Sequence, residues 1–379
     1  MNQTASAQGT DWFRRFLLPG LVFKAVVIGG GYATGRELVE FFLTLGPRGG
    51  LYGMAFALVI WSAVCVVAFV LAYTLRAFEY RALFRALLGP AWPVFELFYL
   101  LFLVLILAVM TAAAGEIGAA LFGMPLIAGT VALMLLVALF TSFGSDVVER
   151  MFRFTSVFLY AVYALFLVLS LSRFGDAITE SIGRPAPVAG WGVNGATYAS
   201  YNIVAAIAVL PFLRHLTRKR DAVVAGALAG PLAMLPALAF FLCMTAFYPT
   251  ISDQALPSDF LLRKLDAPWF HLLFQLMIFC ALLETGVGVV NLLHERVADA
   301  LAERDRDYSV TARLAVGTVV LAGSGFAAVR VGLVDLIATG YSAFGYIMLG
   351  IVVLPMLTIG LWRVAHGRRT SAVLAAATE

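Results

Sequence analysis

Ten apolar stretches, each near the roughly 20 residues that cross a bilayer as a helix, dominate this chain of 379 residues. They lie at 18–45, 51–75, 92–122, 125–143, 152–172, 193–213, 222–248, 268–295, 309–329 and 332–362. In lipid such a segment must satisfy its own backbone, so each reads as a helix. The composition agrees, at 62% hydrophobic and 13% charged residues, against about 45–50% and about 25% in soluble domains. The expected fold is an all-α polytopic membrane protein, one transmembrane domain over residues 1–379. Cys65, Cys243 and Cys280 fall inside the apolar stretches, which argues against a disulfide framework or a zinc site.

The loop charges test the count and set the orientation. With ten spans both termini share a side, and 17 of the 26 Lys and Arg residues fall there, among them Arg14, Arg15, Arg76, Arg81, Arg218 and Arg296. Six lie on the other side, and Lys24, Arg36 and Arg313 lie within spans. Basic loops stay in the cytoplasm, so both termini are expected there. The net charge of +4 is accounted for by topology and anionic lipid, and no nucleic-acid partner is expected.

Spans one to five and six to ten share a rhythm. The third span of each half is entered through similar residues, Leu88-Gly89-Pro90-Ala91-Trp92 in one and Leu265-Asp266-Ala267-Pro268-Trp269 in the other. The halves, 18–172 and 193–363, then form a 5+5 repeat, and an odd number of spans gives them opposite orientations. Inverted repeats of this kind mark secondary transporters, whose sites sit at broken helices in matching positions.

The first span breaks its own pattern. It carries Gly29-Gly30-Gly31-Tyr32-Ala33-Thr34-Gly35-Arg36-Glu37. Each glycine costs about 0.8–1 kcal/mol relative to Ala in a helix, and a charge at mid-span about 2.5–3.5 kcal/mol on insertion scales. A span that tolerates both is expected to unwind there and turn its freed backbone towards protein or a water-filled cavity. Its counterpart, span six, reads Tyr198-Ala199-Ser200-Tyr201-Asn202 and continues to Pro211; its break is expected near Ser200 to Asn202.

Five-plus-five spans with breaks in the first and sixth resemble the leucine-transporter (LeuT) fold of the amino acid–polyamine–organocation superfamily. The glycine stretch, followed by Phe41-Phe42, resembles that of the YkvI-type family of bacterial membrane proteins. The resemblance implies a transporter-like protein of the bacterial inner (plasma) membrane, without naming a substrate. Where that family usually has an amide, this chain has Arg36. In sodium-coupled members of the superfamily the eighth helix supplies cation ligands beside the first break; Ala281, Glu284 and Thr285 fall on those positions, with a carboxylate in place of one hydroxyl.

The candidate substrate site is therefore Gly29, Gly30, Gly31, Tyr32, Ala33, Thr34, Gly35 and Arg36, faced by Tyr198, Tyr201 and Asn202. Two readings of Arg36 stand: a clamp on a substrate carboxylate, or an i,i+4 pair with Glu40. Glu37 is read as a lock between the broken helix and a neighbour, and Glu116 as a gate or a solvated helix end. Glu284 can carry a proton or hold a cation, or it can serve as a structural partner of Lys24 or Arg36.

The four histidines form no zinc-protease motif, no phosphate-binding Gly-Lys loop occurs, and no nucleophile–base pattern stands out. An enzyme is not expected, and no cofactor beyond a coupling Na⁺ or H⁺. The reading is a secondary transporter of a small polar solute, with an amino acid, amine or related carboxylate as the expected small-molecule substrate. The alternative is a membrane sensor that binds such a ligand without moving it.

Overall fold

The computed structural model describes residues 12–29, 32, 34–141, 145–183, 188–302 and 306–366, and the side chains of 145–157, 160 and 299 lie outside that description. The described residues are helical with no strand. The elements are α1 (Leu18–Val27), α2 (Arg36–Phe41), α3 (Gly46–Leu75), α4 (Tyr80–Leu88), α5 (Trp92–Phe122), α6 (Leu126–Thr141) and α7 (Ser145–Gly183). After them come α8 (Trp191–Asn202), α9 (Ala205–Val209), α10 (Lys219–Thr245), α11 (Pro257–Leu265), α12 (Pro268–Ala302), α13 (Val310–Val331) and α14 (Leu333–His366).

Among the described residues, seven helical runs are long and apolar enough to cross a membrane, or eight when α8 and the bent segment after it count as one. The expectation was ten. The difference lies at two places. The first expected span is divided between α1 and α2, and α6 has only 16 residues, about 24 Å at 1.5 Å per residue against a hydrocarbon core of about 30 Å.

Two groups of helices pack face to face within themselves. One is α1, α3, α9 and α10; the other is α5, α6, α12 and α13. The first group is closed by small residues. A β-carbon on Gly226 of α10 would sit 2.6 Å from the Cα of Val66 in α3, and one on Gly230 would sit 2.6 Å from the carbonyl of Leu58. Two helices with backbones this close carry the small-xxx-small spacing that membrane helices use to gain contact without a hydrophobic driving force. Large apolar side chains cover the outside: Val319 is 71% exposed, Leu235 67% and Leu135 66%. A surface this apolar is matched to lipid rather than water.

Candidate functional site

The first span is broken as its glycines require. The last hydrogen bond of α1 runs from the N–H of Ile28 to the carbonyl of Lys24 at 2.9 Å, and the N–H of Gly29 then turns to Val27. Tyr32 is again helical, and α2 starts at Arg36 after Gly35 takes φ +81°. That conformation strains any residue with a Cβ, and a Cβ there would also lie 2.9 Å from the ring of Phe240. Gly30, Gly31 and Ala33 lie outside the described residues.

Span six bends by 41° between α8 and the segment that starts at Ala205. The bend falls at Ile203 and Val204, just past the stretch the sequence marked. Asn202 ends α8, and its amide donates to the carbonyl of Tyr198 one turn earlier at 3.1 Å.

The two breaks meet through one hydrogen bond. The Tyr201 hydroxyl donates to a Glu37 carboxylate oxygen at 2.8 Å, both groups buried. A cavity of about 620 Å³ reaches this point. Of the expected residues it is lined by Gly29, Glu37, Tyr201, Asn202 and Thr285. Tyr341 of α14 and Phe102, Leu103 and Met110 of α5 complete its inner walls. Sequence reasoning missed these four, because one aromatic or apolar residue among many in a span has no distinguishing pattern.

The other expected residues sit elsewhere. Tyr198 packs in a closed aromatic layer, with its ring 4.7 Å from that of Phe42 and 5.5 Å from that of Trp61. Tyr32 is fully buried beside Tyr163. Ala281 is buried one turn before Thr285. Glu284 is half-buried, does not line the cavity and has no hydrogen bond or ion pair among the described residues. Glu116 is half-buried near the end of α5, also away from the cavity. Gly29 and Thr285 are neighbours: a β-carbon on Gly29 would lie 3.9 Å from the Thr285 hydroxyl oxygen.

The cavity opens towards one end of the bundle. Its mouth carries Glu79, Tyr80 and Arg81, from the junction of α3 and α4, and Glu295 and Arg296, late in α12. The Arg296 guanidinium lies over the Tyr80 ring at 4.0 Å, and the Tyr80 hydroxyl donates to Glu96 at 2.7 Å. This is the end where Arg15 meets Thr217, and where Lys219 reaches the carbonyl of Val364.

The opposite end is sealed by Arg36. One guanidinium nitrogen donates to the carbonyls of Ser252 and Gln254, at 2.9 and 3.1 Å, and another to Glu40 at 2.8 Å. Beside it the N–H of Ser258 donates to the carbonyl of Thr34 at 3.0 Å. The short segment between α10 and α12, including α11, is thus fastened as a lid over the first break. Asp259 of the lid is buried and bound to Arg263 at 2.8 Å, to His271 at 2.6 Å and to Gln275 at 3.2 Å. His271 and Gln275 lie in the first turns of α12, so the lid bridges the two helix groups. Arg36 thus makes its i,i+4 pair and closes the lid; it does not line the cavity.

Comparisons with known proteins agree with this architecture. No family model matches the chain. It is 24% identical over 341 residues to the uncharacterized membrane protein YkvI of Bacillus subtilis (strain 168), covering 87% of this chain and 92% of that one. Its fold is similar to that of Mhp1 in an inward-facing conformation, with a TM-score of 0.51 at 17% identity over 90% of this chain and 75% of that one. It is equally similar to a substrate-bound, outward-open Na⁺-coupled sialic acid symporter, with a TM-score of 0.51 at 14% identity over 92% of this chain and 86% of that one. By sequence the chain is thus similar to the YkvI membrane protein over most of both lengths, and its fold is similar to those of Mhp1 and the sialic acid symporter.

Proposed function

We propose that this protein is a secondary transporter that moves a small polar solute by alternating access around the two helix breaks. One observation carries the reading. Among the described residues the cavity reaches the breaks from one end of the molecule, while Arg36 and the lid close the other. A solute site reachable from one side at a time is the condition for pumping rather than leaking.

The moving parts follow from the packing. Spans 1, 2, 6 and 7 form one helix group and spans 3, 4, 8 and 9 the other, and transporters of this type rock one group against the other around the site. Two parallels support an inverted repeat over 18–172 and 193–363. The breaks fall in the first span of each half, and a nine-residue helix, α4 or α11, precedes the third. Ten spans with cytoplasmic termini are part of this proposal, on the bias of basic residues. The cavity then faces the cytoplasm in this conformation.

The solute class is an amino acid, amine or related carboxylate. Coupling to Na⁺ or H⁺ belongs to the same reading. The Thr285 hydroxyl beside the first break is the feature that favours a cation there, and Glu284 on the same helix is the candidate proton carrier. Counterflow into proteoliposomes with a labelled solute panel tests transport. Saturable binding with no counterflow across the panel would replace the transporter with a ligand sensor.

A further inference from the structure

The chemistry of the inner cavity narrows the solute. Glu37 is 5% exposed and lines the cavity floor. Among the described residues its carboxylate accepts one hydrogen bond, from Tyr201. Its neighbour in sequence, Arg36, is committed to Glu40 and the lid carbonyls on the other side of α2. The remaining charged residues of the lining, Glu79, Arg81, Glu295 and Arg296, sit at the mouth. A buried carboxylate in a membrane protein needs a positive partner or a proton, and among the described residues no basic side chain of the inner cavity supplies the partner.

The walls around Glu37 suit a cation. Tyr201 and Tyr341 have ring centroids 4.8 Å apart, and Phe102 lies 6.1 Å from the first and 5.8 Å from the second. All three rings line the cavity. Aromatic faces attract ammonium groups, and more strongly when water is excluded. Past these rings the lining is apolar, with Leu103, Ile106 and Met110. A volume of about 620 Å³ falls within the roughly 300–1,000 Å³ of small-molecule pockets.

We infer that the solute is an organic monoamine with an apolar body and no carboxylate, its ammonium held by Glu37 and the Tyr201, Tyr341 and Phe102 rings. An amino acid brings a carboxylate into a cavity whose inner part presents a carboxylate of its own and no guanidinium or ammonium. This rests on the transporter reading for its biological meaning, but the site can be tested without it.

Binding to the purified full chain in detergent is measured by calorimetry for three probes with one carbon body: 2-phenylethylamine, phenylalanine and 3-phenylpropionate. The expected result is saturable binding of the amine, at least tenfold weaker binding of phenylalanine and none of the carboxylate. Equal or tighter binding of phenylalanine or 3-phenylpropionate would overturn the assignment. So would failure of every member of a series from methylammonium to 2-phenylethylamine to bind. Glu37→Gln is expected to lose amine binding at least thirtyfold. Tyr341→Leu, which leaves the hydrogen bond between Tyr201 and Glu37 intact, is expected to lose it about fivefold with an unchanged elution profile. Full amine affinity in both folded variants sinks the proposal. Amine binding without counterflow rejects transport and leaves the ammonium site standing, whereas counterflow of carboxylates without amine binding does the reverse.

Discussion

At the lid end of the molecule, Arg36 donates to two backbone carbonyls and one carboxylate, and Ser258 donates its N–H to Thr34. At the mouth end, Arg296 lies against Tyr80, Arg81 turns to Glu96, and Tyr80, Arg81 and Arg296 line the cavity. Both ends carry arginines, but Arg36 is bonded to the backbone of the segment that covers its end, whereas Arg81 and Arg296 line the open mouth. The lid end joins the first span to the segment after the seventh through these polar contacts, above a lid whose Ile251, Leu256, Leu261 and Leu262 are buried in the core. Such bonds exchange for water at a modest net cost, about 0.5–1.5 kcal/mol each and about 1.5–3 when one group is charged. The polar bonds of Arg36 are the part of this seal that water can replace most readily.

The sharpest way to break the comparison is Arg36→Ala. It removes the charged donors that span the lid end, and is expected to cost about 2–3 kcal/mol of stability in that state. A single cysteine at Gln254 in a cysteine-free background should then label at least tenfold faster with a membrane-impermeant maleimide; an unchanged labelling rate would mean that Arg36 does not hold the lid. Arg36→Lys keeps the charge without the fork, and an intermediate rate is expected.

Gly35→Ala addresses the same end through the backbone. The left-handed φ costs about 1–2 kcal/mol for a residue with a Cβ, and the methyl also meets Phe240. The melting temperature should fall, and Phe240→Leu in the same chain should restore part of it. No fall would show that the backbone at residue 35 relaxes freely.

Tyr201→Phe, at the junction of the two breaks, removes the hydrogen bond to Glu37 at a cost of about 1–2 kcal/mol. Because the bond lies between the two ends, labelling at Gln254 should change less than in Arg36→Ala. An equal change would make the junction part of the seal.

The smallest effect on stability is expected at Thr285→Ala, within about 0.5 kcal/mol. Its effect should appear in ion dependence, as loss of Na⁺ stimulation of binding or uptake. Glu284→Gln is the companion test. It should abolish gradient-driven uptake while sparing exchange, and unchanged H⁺ and Na⁺ dependence in both variants would remove this helix from coupling.

The sequence disclosed what has an energetic signature. Glycines and charges inside an apolar run are costly in a lipid-facing helix, so the first break was legible in the sequence; Glu37, read there as a lock, accepts a hydrogen bond from Tyr201. Span six was harder. Its bend follows Asn202 by one residue and needs no glycine, because two residues between short helices suffice. The lid was not legible. Its acceptors are the carbonyls of Ser252 and Gln254, and every residue has a carbonyl. Tyr198 misled for a related reason: in an apolar span an aromatic ring fits a core or a cavity equally well, and only packing against Phe42 and Trp61 decides. The sixteen-residue α6 shows the limit of counting spans by length.

α2 has only six residues, and its first two side chains face different problems. Arg36 holds the lid; Glu37 faces the cavity. Seal and floor are therefore separated by a single peptide bond. A rotation of this one short rod, hinged at Gly35, swings both side chains at once. In the proposed transporter a solute held at Glu37 lies one residue from the group that holds the lid.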